Sequence, residues 1–264
     1  MLRLLSLFIL FLTTVSIASA QKLKKRTESY GTYKEVYHID KETKFRCGES
    51  FIINNTTKDT LAIGHYLNSA RADKWIFGDI ESGEDYMIYN YSNDSLIYLN
   101  QSLVADSFLV KTDNGYELKK VDRPLLYVGY KDEIIHSIGR DLEIPLEVMK
   151  EEKVGLSLLQ YFVDEKGNLS GPKLVSGFSK EMEQSINRKV VMLPGKFLPA
   201  IFDGNAIAST FFVRVNVGLD RELFAGDIGQ PYILHIDSYY NVQVTEQKER
   251  RRIGIRRVDI SEVR

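Results

Sequence analysis

Cys47 is the only cysteine in 264 residues. No internal disulfide can form, although the compartment argued for below would permit one, so stability has to come from packing. Neither sign of charge is in excess: 35 Lys and Arg face 36 Asp and Glu, for a formal charge of −1. That balance gives no support to a nucleic-acid-binding chain. A G-x-S-x-G elbow, a Walker loop and a G-x-G-x-x-G fingerprint after a strand are all absent. His38, His65, His136 and His235 are scattered, with no metal spacing and no second cysteine to join them, and they read as surface or packing residues. The paired carboxylates Glu151 and Glu152 belong to a solvated helix end. The sequence therefore names no nucleophile, base, metal ligand or cofactor, and the chain is expected to be non-catalytic.

What is present begins with "MLRLLSLFILFLTTVSIASAQKLKKR". Arg3 supplies a positive start, an apolar run extends from Leu4 to about Ala18, and Ala18 and Ala20 stand in A-x-A spacing. This is the pattern of a secretory leader cleaved after Ala20. The run is shorter than the roughly 20 apolar residues of a spanning helix. An uncleaved leader would instead anchor the chain in the inner membrane. The remainder is longer than a typical domain of about 100–150 residues, which suggests two domains. At 44% hydrophobic and 27% charged residues over its whole length, the chain has apolar material for real cores.

From about Tyr30 to Leu99 short segments such as "KEVYHI", "DTLAIGHY", "DKWIF" and "DYMIYNY" are rich in β-branched and aromatic residues and are bounded by turn residues. They predict hairpin-linked strands in an all-β region. Tyr66, Trp75, Phe77, Tyr86, Tyr89 and Tyr91 read as the hydrophobic face of this meander, with a sugar-binding platform as the competing reading. After the polar crossing "KTDNGYELKKVDRP", Ile134, Ile135, Ile138 and Leu142 recur at helical spacing, with Asp132 as N-cap. "PLEVMKEE" predicts a second short helix. "GLSLLQYFVD", "EKGN" and "LSGPKLVSG" predict two strands around a tight turn at Gly167. In "SKEMEQSINRKVVML", Ser179 is the N-cap and Met182, Ile186, Val190 and Leu193 form one apolar stripe, which predicts an amphipathic helix. In "STFFVRVNV", Phe211, Val213, Val215 and Val217 face one way and Thr210, Phe212, Arg214 and Asn216 the other.

Two resemblances attach to these residues. "GESFIINNTTKDTLAIGHYLNSARADKWIF" resembles the MORN-like repeats of secreted bacterial proteins: Gly64, Tyr66, Trp75 and Phe77 hold their places, and Ala72 stands where those repeats usually have glycine. From about Pro124 to Leu219 the chain resembles the carboxy-terminal domain of TonB, in the divergent form of the "energy transducer TonB" proteins of Bacteroidetes-type bacteria. Ile144 and Pro145 fit its Tyr-Pro, and Gly155 the glycine before its first strand. "FVDEKGNLSGPKLVSG" fits its hairpin. "KFLPAIFDGNAI" fits its linker, with Phe197 in place of tryptophan and Pro199 and Gly204 in register.

The expected fold class is therefore α+β. A β-rich, MORN-like antiparallel meander (21–120) follows the signal peptide (1–20), and a TonB-like domain of two helices on a three-stranded antiparallel sheet (121–220) comes next, before a β and basic extension (221–264). The TonB resemblance implies docking of partner segments, such as outer-membrane transporter peptides, by strand addition. It makes "STFFVRVNV" the candidate capturing edge, with Thr210, Phe212, Arg214 and Asn216 as its site residues. With six prolines and no proline-rich spacer, the chain lacks the parts that energy coupling requires. Arg250, Arg251, Arg252, Arg256 and Arg257 are a candidate anion-binding cluster, in competition with a plain solvated terminus. The expected setting is the periplasm of a Gram-negative bacterium, where N-x-S/T triplets at Asn54, Asn90 and Asn93 carry no glycan. The competing function is a structural or immunity-type envelope protein whose β-repeat domain makes the contacts.

Overall fold

The computed structural model describes residues 22–80, 83–103, 105–141, 144–188, 193, 195–218, 233–240 and 253–255. The leader at 1–20 and the arginines at 250–252 and 256–257 lie outside these residues. So do Leu142 and Val190, two of the predicted stripe positions.

Seven strands make the first sheet: β1 (Leu23–Ser29), β2 (Tyr33–Asp40), β3 (Arg46–Asn54), β4 (Thr60–Leu67), β5 (Ala70–Asp79), β6 (Glu84–Asn90) and β7 (Ser95–Leu99). They lie in sequence order, each antiparallel to the next. One face carries the core: Tyr33, Ile52, Ala62, Tyr66, Trp75, Phe77, Met87 and Tyr89 are buried and pack with Val128. Gly64 is what lets this face close, because a Cβ there would sit 2.2 Å from the Trp75 ring. The indole, fully buried, donates its N–H to the His65 carbonyl at 3.0 Å. The aromatics that a carbohydrate platform would need exposed are thus largely inside the protein. On the opposite face the register aligns Val36, Phe51, Ile63, Ile76, Ile88 and Tyr98 in one row across six strands.

The second sheet runs β12 (Leu169–Ser176), β11 (Gly155–Val163), β16 (Ser209–Gly218), β17 (Ile233–Tyr240), β18 (Ile253–Ile255). The hairpin of β8 (Ser107–Thr112) and β9 (Gly115–Lys120) joins it through Val110 opposite Ser209. Two small ladders complete the strands, β10 (Leu126–Val128) with β13 (Lys196–Leu198) and β14 (Ala200–Phe202) with β15 (Asn205–Ile207). Three helices are described: α1 (Lys131–Asp141), α2 (Leu146–Lys150) and α3 (Lys180–Arg188). Ser179 caps α3 by accepting the Met182 N–H at 3.1 Å. Asp132 lies inside α1 rather than at its cap, and Glu133 reaches back to the Tyr130 N–H at 3.2 Å, half of a capping box. Ile134, Ile135, Ile138, Val148 and Met182 pack on Leu159, Tyr161, Phe211, Val213 and Val215 in the second core.

The α+β expectation is corrected by this architecture, which is mostly β, with 58% of the described residues in strands and 12% in helices. Strands also form where no alternation announces them. β1, "LKKRTES", is exposed at every position and has no apolar face to read. β9 falls in what reads as a polar crossing, and β8 runs into the start of it. The antiparallel core β12-β11-β16 is present, but as part of a larger sheet that β17 and β18 extend.

Candidate functional site

Strand β16 is held on both sides. Its ladder with β11 is antiparallel, pairing Ser209 with Val163 through to Val217 with Gly155. On its other side β17 runs parallel, setting Phe212 opposite Ile233, Arg214 opposite His235 and Asn216 opposite Asp237. The expected capturing edge is therefore occupied by a later segment of the same chain. The two-sided pattern read from the sequence also differs in burial. Phe211, Val213, Val215 and Val217 are in the core, while on the other face only Phe212 and Arg214 are half-buried. Thr210 and Asn216 are buried there. The Thr210 hydroxyl donates to the Tyr161 carbonyl at 2.7 Å and accepts from Gln160 Nε2 at 3.1 Å, so it ties β16 to β11. Arg214 Nε is buried with no hydrogen-bond partner among the described residues, which leaves a guanidinium donor beside the β16–β17 ladder.

A second concentration of polar groups, which the sequence pattern does not reveal, joins the two sheets. Arg71 on β5 lies over the Trp75 ring at 4.5 Å and bonds Glu133 in the first turn of α1. Its guanidinium also donates to the Tyr91 hydroxyl at 3.3 Å, which in turn donates to the Val128 carbonyl at 3.0 Å. Tyr127 completes the group by donating to Glu133 at 3.1 Å. Burial, the largest single influence, would lower the Arg71 pKa, but the Glu133 carboxylate and the surrounding Tyr91, Tyr66 and Tyr127 together outweigh it and hold the guanidinium charged. Burial, reinforced by Glu133, pushes the Tyr127 hydroxyl well above its ordinary range. Next to Glu133, Asp132 accepts from the Thr32 hydroxyl at 2.6 Å. Two adjacent acids on one helical turn thus bind two different parts of the meander.

Arg46 on β3 forms a third group nearer the open end of the first sheet. It bonds Glu35 at 2.7 Å and Glu28 at 3.0 Å, and lies over the Tyr37 ring at 4.1 Å. Tyr66 donates to Glu35 at 2.8 Å, and burial pushes its pKa up to about 12. Both arginines are satisfied by carboxylates and ring faces, so these groups hold the fold rather than await a ligand. No signal in the sequence singles out either one, because their partners lie up to 62 residues away.

Among the described residues no group of three His, Cys, Asp or Glu is placed to hold a metal ion, and no helix is long and apolar enough to cross a membrane. Cys47 is buried. No family model, curated protein or solved structure matches the chain.

Proposed function

We propose that the chain is a non-catalytic protein of the bacterial envelope that binds an extended protein segment by strand addition along β16, in exchange with its own β17. The observation that carries this reading is the parallel β16–β17 ladder. From Phe212 to Gly218 the strand accepts an extended segment whose pairing residues begin at Ile233. Main-chain bonds of this kind supply affinity with little demand on sequence, and alternate side chains add selectivity. The Arg214 Nε, which has no partner among the described residues, offers a donor to a partner's carbonyl or carboxylate at that edge. The resemblance to the TonB domain supports the same mode and suggests outer-membrane transporter segments as partners. The setting is the periplasm, reached by cleavage of the leader.

The test uses a labelled peptide of residues 232–240, "YILHIDSYY", and an Ile236→Pro variant that removes a ladder donor from β17. The variant is expected to bind the peptide saturably and at least about tenfold more tightly than the parent chain, a difference of about 1.4 kcal/mol. Equal and negligible binding by both, with the variant still folded by circular dichroism, would sink the proposal.

The competing reading places the contacts on the first sheet. It is favoured by the cross-strand row from Val36 to Tyr98, whose last member is 43% exposed. Ile63→Lys and Ile88→Lys substitutions would abolish partner capture in that case and leave peptide binding at β16 intact.

A further inference from the structure

One end of the first sheet carries a patch that strand capture does not use. Leu23, Phe45 and Leu67 are large apolar side chains exposed there at 40%, 49% and 63%. They come from three segments, the start of β1, the β2–β3 turn and the end of β4, which main-chain bonds hold side by side. The Lys41 N–H donates to the Lys22 carbonyl at 3.1 Å, the Asp40 N–H to the Phe45 carbonyl at 2.9 Å, and the Ser69 N–H to the Arg46 carbonyl at 2.9 Å. The Arg46 N–H donates to the Ser69 hydroxyl at 3.0 Å. Left-handed backbone at Lys44, Asn68 and Ser69 (φ 65°, 50° and 67°) makes both turns tight, so the apolar side chains project from defined positions.

The same end is basic. Lys22, Lys24, Lys25, Arg26, Lys41 and Lys44 are all exposed. The acids near them are Asp40, Glu42, Glu28 and Glu49; the Asp40 carboxylate is turned into the β2–β3 turn, accepting the Glu42 and Thr43 N–H groups at 2.8 Å each, and Glu28 is engaged by Arg46. Six cations therefore lie on the same segments as three protruding apolar side chains.

We infer that this end of the meander docks on an anionic lipid surface. Separate apolar side chains on neighbouring segments, with lysines on the same segments, match an interface in which acyl chains take the apolar tips and headgroup phosphates take the ammonium groups. Lysine stems can lie along the apolar boundary with their charges at phosphate level. A protein partner would more usually meet a packed pocket with aromatic or arginine anchors, whereas the cations here are mostly lysines and Arg46 already has carboxylate partners. The position in the chain agrees: Lys22 sits in this patch, only a few residues after the apolar run that ends at about Ala18. This inference stands independently of strand capture at β16.

The experiment is co-sedimentation of the chain beginning at Gln21 with phosphatidylcholine vesicles, with and without phosphatidylglycerol. Sedimentation is expected only with the anionic vesicles, weakening as salt is raised. A Phe45→Asp, Leu67→Asp double variant should lower the partition by about tenfold or more, and Phe45→Leu should retain it. Lys41→Gln and Lys44→Gln should each cost about fivefold. All four positions are exposed, so melting temperatures should hold and fold loss can be checked directly. Equal binding to neutral vesicles, no binding to either, or anionic binding unchanged in the double variant would each overturn the proposal. The last result would assign the binding to another basic segment such as residues 250–257.

Discussion

The two sheets are assembled by opposite rules. In the first, every strand pairs with its immediate successor, so each contact is a hairpin closed over a short loop. In the second, β8 at residue 110 meets β16 at residue 209, and β16 takes β17 in parallel across a connection that no hairpin can make. Among the described residues, local pairing leaves the first sheet with edges at β1 and β7. Long-range pairing instead covers β16, which without β17 would be the natural edge of the β12-β11-β16 core. Lysines at positions 24 and 25 and Arg26 on β1 are the kind of charges that keep an exposed edge from pairing at random.

The strongest way to break the comparison is at the junction. Replacing Arg71 by Met leaves the partly buried Glu133 without its cation and should destabilise both sheets together by about 3 kcal/mol in denaturant titration. Adding Glu133→Gln should recover much of that loss. Two separate unfolding transitions in the single variant would show that the sheets are less coupled than this junction implies. A smaller effect contrasts the cores. Gly64→Ala drives a methyl into the fully buried Trp75 and should cost about 2–3 kcal/mol by thermal or chemical melt. Gly155→Ala meets the half-buried Phe178, which can move aside, and should cost about 1 kcal/mol. The reverse order would mean that the first core is the looser one.

Much of the meander is legible in the sequence, because β-branched and aromatic runs alternate with turn residues at hairpin spacing. β1 is not, since all of its residues are exposed and carry no period. β8 and β9 escape the pattern although they carry a signal: Asp113 and Asn114 form a two-residue loop with Gly115 behind it, at a φ of 115°. In the second half, the alternation of "STFFVRVNV" correctly separates Phe211, Val213, Val215 and Val217 from their neighbours. It cannot say what lies beside the strand. Parallel pairing is chosen by a distant partner, and "YILHID" looks the same whether it ends a sheet or fills one. The arginine groups are invisible for a related reason, because a strand arginine looks solvent-facing until the carboxylate that neutralises it is brought in from elsewhere.

Smaller effects appear in pH dependence. Burial pushes the Tyr66 and Tyr86 hydroxyls up to about 12 from an ordinary value of 10.0, and raises Tyr91 and Tyr127 as well. Their folded pKa values lie above the unfolded ones, so the stability they contribute is complete below pH 10 and falls as pH rises through the folded values. Burial raises the Tyr161 hydroxyl in the second core as well, so alkaline unfolding should take both sheets together, with tyrosinate absorbance rising together with loss of structure. Tyrosinate forming well before unfolding would contradict this. At the acid end the slope should be slight. Hydrogen bonds from Tyr30 and Tyr37 lower the Glu28 pKa below 4.5, so its contribution is present above that value and lost as pH falls through the folded value. Tyr37→Phe should flatten the slope; an unchanged acid titration would remove Glu28 from the account.

Asp132 and Glu133 are neighbours on a single helical turn, yet one answers Thr32 and the other Arg71. Neither half of the molecule can therefore be lifted out whole. A meander grafted onto a different protein would carry an arginine without its acid, and the second half alone would keep a carboxylate shaped for a cation it no longer meets. Any recombination that shuffles these two parts among other proteins would have to cut inside a bonded network, so they should travel between genomes as one unit rather than as two modules.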